Sequence, residues 1–179
     1  MKPAWLNKKI SLRDCAELKA ILKQREINTV CEEAKCPNIG ECFAKRQATF
    51  IILGTVCTRG CLFCGIRKGT PGPVDLKEPF RIANIVFELG LKHIVITSVT
   101  RDDLSDGGAS VFVETINAIR KINKAVKVEV LIPDFEAKLD SLQTLAKVKP
   151  DIIAHNMETV SRLYEDIRKG ASYLIFRSL

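Results

Sequence analysis

A chain of 179 residues, 46% of them hydrophobic, builds one ordinary core and is too short for two large domains, so a single domain with an appendage is expected. The formal charge of +7 raises nucleic acid as a partner, but the basic residues fall in small scattered groups (Lys8-Lys9, Lys45-Arg46, Arg67-Lys68, Arg120-Lys121, Arg168-Lys169) without interleaved aromatics, the pattern of solvated faces or of a dock for an acidic protein. No run approaches 18 consecutive apolar residues, which excludes a membrane helix, and seven cysteines behind an N-terminus (MKPAWLNKKISL) with no secretory core segment point to thiols in a reducing cytoplasm rather than disulfides.

Ser11 to Gln24 carries Leu12, Cys15, Leu18, Ile21 and Leu22 at three- and four-residue steps, which predicts an amphipathic helix with Ser11 as its N-cap. Cys15 reads as a small buried hydrophobe within it. Cys31, Cys36 and Cys42 follow in a CxxxxCxxxxxC spacing, in a segment where Pro37 and Gly40 break regular structure and let a loop fold around a ligand. Residues 1–47 are read as this arm.

From Ala48 onward the chain alternates strand-like and helix-like segments. FIILG, HIVIT, VKVEVLI and DIIAH read as strands; Pro79 to Leu89, Ala109 to Ile122, Ala137 to Ala146 and Thr159 to Arg168 read as helices. Short β-branched runs separated by helices predict an α/β fold with a parallel sheet and right-handed crossovers, and in such sheets ligands gather at the carboxyl ends of the strands. A closed barrel of this kind needs roughly 200 residues or more. Residues 48–179 are therefore read as a partial β/α barrel of four to five units, ending in an apolar, strand-like stub, SYLIFRSL.

The sharpest chemical signal is TVCTRGCLFC, directly after the first of these strands. Cys57, Cys61 and Cys64 stand there in a CxxxCxxC spacing, which lets three thiolates wrap one face of a cube-shaped iron–sulfur cluster and leaves its fourth iron open. A closed zinc site would want a fourth Cys or His nearby, and none lies between Gly65 and His93. Thr97, Ser98, Thr100 and Asp102 follow the second strand, where Gly107-Gly108 permits close backbone approach and Asp106 is placed to cap the next helix. His155, Asn156 and Glu158 follow the fourth strand. Glu158 suits either a ligand or the first turn of a helix, where it would favour the dipole. His155 and His93 read as packed structural residues.

CxxxCxxC after the first strand, with Phe63 before the last cysteine, resembles the radical S-adenosylmethionine superfamily. The added triplet CEEAKCPNIGEC resembles lipoyl synthases, as do the phrases GTPGPVDLKEPFRIA, ITSVTRDDLSDGGA, LIPDF and HNMETV in that order. The resemblance implies two 4Fe-4S clusters. One, on Cys57, Cys61 and Cys64, would bind S-adenosylmethionine through its open iron and cleave it reductively. The other, on Cys31, Cys36 and Cys42, would be consumed as the sulfur source. Phe63, Thr97, Ser98, Thr100, Asp102, Asn156 and Glu158 are implied as S-adenosylmethionine contacts, Asp102 toward the ammonium. The implied reaction inserts sulfur at carbons 6 and 8 of an octanoyl chain carried on lipoyl domains of 2-oxoacid dehydrogenases or on the glycine-cleavage H protein. An electron donor such as flavodoxin or ferredoxin is implied, and neither nucleic acid nor membrane. Two positions depart from the family wording: Leu62 where Arg is frequent, and Val111 where a polar residue is usual.

The same resemblance implies a serine ligand to the second cluster in a C-terminal RSSY-type motif, which Arg177-Ser178 does not supply. A shortened chain is therefore expected, aggregation-prone or molten when made alone, and inactive. The competing reading is a non-catalytic metal-binding fragment or a zinc module.

Overall fold

The computed structural model describes residues 12–33, 36, 38–44 and 47–176. The expected N-cap Ser11, the side chain of Cys15, Pro37, the pairs Lys8-Lys9 and Lys45-Arg46, and Arg177-Ser178 lie outside what is described. In chain order the elements are α1 (Leu12–Gln24), β1 (Asn28–Thr29), α2 (Val30–Glu33), α3 (Ile39–Ala44), β2 (Gln47–Ile52), β3 (Val56–Cys57), β4 (Arg67–Lys68), α4 (Glu78–Glu88), β5 (His93–Ser98), α5 (Ala109–Ile122), β6 (Lys127–Leu131), α6 (Leu139–Lys147), β7 (Ile152–Ala154), α7 (Tyr164–Ile167) and α8 (Tyr173–Phe176). Single 3₁₀ turns precede α6 at Phe135–Ala137 and α7 at Ser161–Leu163.

The main sheet has the order β1-β2-β5-β6-β7. β2, β5, β6 and β7 run parallel, as the alternation predicts, and the two-residue β1 adds antiparallel to β2. Ile51, Thr97, Leu131 and Ala154 stand side by side across the four parallel strands. All four strands therefore end in one row, at the same end of the sheet.

Period-two burial explains which face is which. Phe50, Ile52, Ile94, Ile96, Val128 and Val130 are fully buried, and they share one core with Ile82, Ile85 and Val86 of α4 and with Phe112, Ile116 and Ile119 of α5. Each such side chain contributes about 1.5–3 kcal/mol on burial. Their alternate neighbours Thr49, Val95, Thr97, Glu129 and Leu131 are only half-buried, which is the inward face of a barrel that these strands do not close. Among the described residues β7 is a free sheet edge, with Ile152 and Ile153 exposed.

Residues 12–33, 36 and 38–44 are built onto the β2 side. Leu22 and Ile27 enter the main core, and β1 supplies β2 with ladder partners. The strand expected at the end of the sequence is corrected: Tyr173–Phe176 is a helical turn. The ring of Tyr173 meets Tyr164 edge-on at 5.5 Å between centroids, which folds the segment back on α7. The helix expected over Thr159 to Arg168 is likewise reduced to a 3₁₀ turn and one α turn.

Packing is tight where β2 ends against the start of α5. A Cβ added to Gly108, whose φ is +91°, would sit 2.2 Å from Cδ1 of Leu53. Gly108→Ala is expected to lower stability by about 1–3 kcal/mol through strain and overpacking. Gly72→Ala, where a Cβ meets nothing within 4 Å, should change it by less than about 0.5 kcal/mol. Urea midpoints of the two variants at unchanged m-value make the comparison.

Candidate active site

The site begins where β2 turns out of the sheet. Leu53 and Gly54 take positive φ (68° and 88°), and the turn is held on both sides by buried charge. The Glu78 carboxylate accepts the Leu53 N–H at 2.8 Å; burial pushes its pKa up, while the Leu53 and Gly54 N–H groups pull the other way. The buried Arg101 guanidinium donates to the Leu53 carbonyl (3.3 Å) and the Gly72 carbonyl (3.1 Å), and pairs with Asp103 at 2.8 Å.

β3 and β4 form a short parallel ribbon in which Cys57 stands opposite Lys68, and the Gly69 N–H closes onto the Cys57 carbonyl at 3.0 Å. The three thiols are carried on the loop that this ribbon pins. Cys57 and Cys61 are half-buried and Cys64 is exposed. The Cys57 sulfur accepts the Arg59 N–H at 3.4 Å. Burial pushes the Cys61 thiol up and Cys57 and Cys64 add to this, while Arg168 and Arg59 oppose it, so the three sulfurs lie within one another's field.

Two residues inside the loop fasten it to the neighbouring strand ends. Thr58 donates to the Thr100 carbonyl through both its N–H (3.1 Å) and its hydroxyl (3.0 Å), and the hydroxyl accepts the Asp102 N–H at 3.2 Å. Arg59, with its side chain 5% exposed, is gripped by two carboxylates. Its Nε and Nη2 donate to Asp102, both at 2.8 Å; its Nη1 and Nη2 donate to Asp134 at 2.7 and 2.8 Å. Burial works against the guanidinium charge, and the two carboxylates more than reverse it, so Arg59 stays protonated. Burial alone would raise Asp134, yet the hydrogen bonds from Arg59 and the Glu136 N–H hold it below the usual carboxylate range. A third fastening comes from α7, whose Ile167 carbonyl accepts the Leu62 N–H at 2.8 Å.

The other sequence-predicted residues border this loop unevenly. Thr97 is at the end of β5 with its hydroxyl on the Leu131 carbonyl (2.8 Å), and Ser98 is the last residue of that strand. Thr100 lends its carbonyl to Thr58. Asp102 gives both oxygens to Arg59. Phe63 is about half exposed beside Cys64, next to the exposed Leu62. Asn156 and Glu158 are exposed after β7; Glu158, at φ +66°, precedes the 3₁₀ turn and so is outside any first helical turn. His155 bridges strand ends through Nδ1 and the Ile132 carbonyl (2.8 Å), and desolvation pushes its pKa down. His93 contacts Glu129 at 3.2 Å, and Asp106 caps α5 through the Gly108 and Ser110 N–H groups, both at 2.8 Å.

On the other side of β2, the Cys31 thiol is buried in α2, with Cys36 and Cys42 half-buried beside it. Burial pushes Cys31 up, a backbone hydrogen bond at Thr49 opposes this, and the nearby Cys36 and Cys42 thiols add to the rise. The two cysteine segments abut: a Cβ on Gly65 would lie 3.9 Å from the Glu33 carbonyl oxygen. Among the described residues no three His, Cys, Asp or Glu side chains converge as they do around one ion. A zinc tetrahedron needs sulfurs about 3.8 Å apart. Each triplet offers the three thiolates that a cube-shaped cluster takes, each on a different iron.

The radical SAM superfamily model matches residues 51–176, which takes in the thiol loop, all three later strands and both glycines of the α5 cap. The chain belongs to the radical SAM superfamily. Similar proteins include the lipoyl synthases of Geobacter sp. strain M21 (55% identical over 96% of this chain), Caldanaerobacter subterraneus subsp. tengcongensis (51% over 97%) and Alkaliphilus metalliredigens (53% over 97%). The chain spans about three fifths of their length: 59, 61 and 60% respectively. No helix among the described residues is long and apolar enough to cross a membrane.

Sequence reasoning gave no role to Arg59, Asp134, Glu78 or Arg101. Arg101 and Asp134 each stand three residues past an apolar strand, an ionisable type in an unexpected place; Arg59 and Glu78 carried no such signal. In this radical SAM chain Asp134 has a lowered pKa, so its contribution to stability is present above the ordinary aspartate range and is lost as pH falls through the folded-state value. Asp134→Asn is expected to cost about 3–5 kcal/mol at neutral pH by leaving Arg59 half-paired in the interior. Its stability should also fall less steeply below about pH 4 than that of the native chain. Denaturation midpoints measured from pH 7 to pH 3 test both statements.

Proposed function

We propose that this chain carries the two-cluster catalytic machinery of a lipoyl synthase. The observation that supports the reading best is the pair of separately gathered thiol triplets that abut across Gly65 and Glu33, one of them at the carboxyl ends of the parallel strands. Residues 1–47 form the arm for the second cluster and residues 48–179 the incomplete barrel for the first.

Cys57, Cys61 and Cys64 would hold one four-iron cluster, and Cys31, Cys36 and Cys42 the other. Bound there, the first cluster and S-adenosylmethionine supply a reductively generated carbon radical, and the second supplies sulfur. The chain's own residues do the positioning. The buried Glu78 and Arg101 fix the turn from which the thiol loop departs, while Thr58 and Leu62 hold the loop to β5 and α7. Phe63 offers an apolar ring beside the thiols. Thr97, Ser98, Thr100, Asn156 and Glu158 line the strand ends as hydrogen-bonding groups for ribose and methionyl atoms. Asp102 retains lone pairs beyond those given to Arg59, and its side chain is 28% exposed, enough to accept a ligand ammonium as well. The octanoyl substrate would arrive on lipoyl carrier domains of 2-oxoacid dehydrogenases or on the glycine-cleavage H protein, with flavodoxin or ferredoxin as electron donor, in the cytoplasm.

Anaerobic reconstitution tests the assignment. Two clusters give about eight iron per chain. Cys61→Ala and Cys36→Ala should each lose about half of that, from different clusters. In a version of the chain as long as those lipoyl synthases, reductive cleavage of S-adenosylmethionine should disappear in Cys61→Ala and persist in Cys36→Ala. Zinc at one per chain, with iron absent, would overturn the proposal in favour of a zinc module.

A further inference from the structure

A heavily engaged charge lies inside the thiol loop, on a residue that is none of the three thiol ligands. Arg59 sits between Cys57 and Cys61, and four of its five N–H donors are committed to Asp102 and Asp134, at the ends of two different strands. Bidentate forks of this kind fix orientation as well as distance, which a lysine ammonium does not do. A loop that only needed anchoring already has Thr58 on Thr100 and Leu62 on Ile167. Burying a guanidinium between two carboxylates adds a fixed charge beside the sulfurs, at a desolvation cost that simple anchoring does not require.

We propose that Arg59, clasped by Asp102 and Asp134, is a positioning residue whose fixed charge sets the reduction potential of the cluster held by Cys57, Cys61 and Cys64. The proposal rests on the reading that those three thiols hold a four-iron cluster. The residue stands against the ligands, its backbone N–H donating to the Cys57 sulfur at 3.4 Å. Reduction adds one electron to the cluster with no bond made or broken, so a nearby positive charge favours the reduced form and a nearby negative charge disfavours it. The net effect is therefore a balance that single substitutions tip in opposite directions.

The test is a mediated potentiometric titration of the reconstituted 1–179 chain with a dithionite-type reductant, read by the electron paramagnetic resonance signal of the one-electron-reduced cluster, on a Cys36→Ala background that isolates it. R59Q is expected to shift the midpoint to a more negative value and D134N to a more positive one. R59K, which keeps the charge but loses the forks, should stay close to the parent in midpoint while its spectrum broadens. R120Q removes a guanidinium held by the Val148 and Lys149 carbonyls, away from the thiol loop; it should leave the midpoint unchanged. Midpoints of R59Q and D134N that stay at the parent value, or move in the same direction, would overturn the proposal, and D134N against R59K decides it if R59Q does not fold. Failure of the parent chain to take up iron on these thiols would sink the cluster reading itself, and the proposal with it.

Discussion

The structure turns on a guanidinium that cannot be left alone. Arg59 is almost wholly out of water, and an unpaired charge there would cost several kcal/mol, so the thiol loop, the end of β5 and the end of β6 must assemble together or not at all. The loop has little secondary structure of its own beyond the two-residue ribbon of β3 and β4. Its shape is imposed from outside, by Asp102, Asp134, the Thr100 carbonyl and the Ile167 carbonyl. A flexible cysteine loop thereby becomes an ordered one before any ligand arrives, which removes part of the ordering entropy that binding would otherwise meet.

The sheet determines where that order is available. Four parallel strands end in one row, so every connection leaving them starts beside its neighbours, and groups 43 and 75 residues apart in sequence become hydrogen-bond partners. β2 has a special place in the row. Its exit carries the first thiol triplet, and its outer side carries β1 and the buried Cys31, with the Thr49 backbone in reach of that thiol. The two triplets are thus arranged around a single strand.

Much of this was legible in the sequence. Short β-branched runs such as HIVIT and VKVEVLI, separated by helical stretches, marked the parallel strands. The thiol spacings marked both triplets, since ligand geometry requires neighbouring donors. Three features escaped for physical reasons. β1 has two residues, too few to express a period. Tyr173–Phe176 is apolar like a strand but is claimed by a ring contact with Tyr164, a tertiary effect that local pattern does not carry. Arg59 and Asp134 drew no reading because nothing in a lone arginine announces a partner 75 residues away.

The most direct test of this account is diffraction from the anaerobically reconstituted 1–179 chain, with anomalous data collected on both sides of the iron absorption edge and at the zinc edge. The account predicts iron density in contact with the sulfurs of Cys57, Cys61 and Cys64, with Arg59 still forked onto Asp102 and Asp134. Iron bound elsewhere, a single zinc ion on these thiols, or an Arg59 released from both carboxylates when the metal is in place would contradict it.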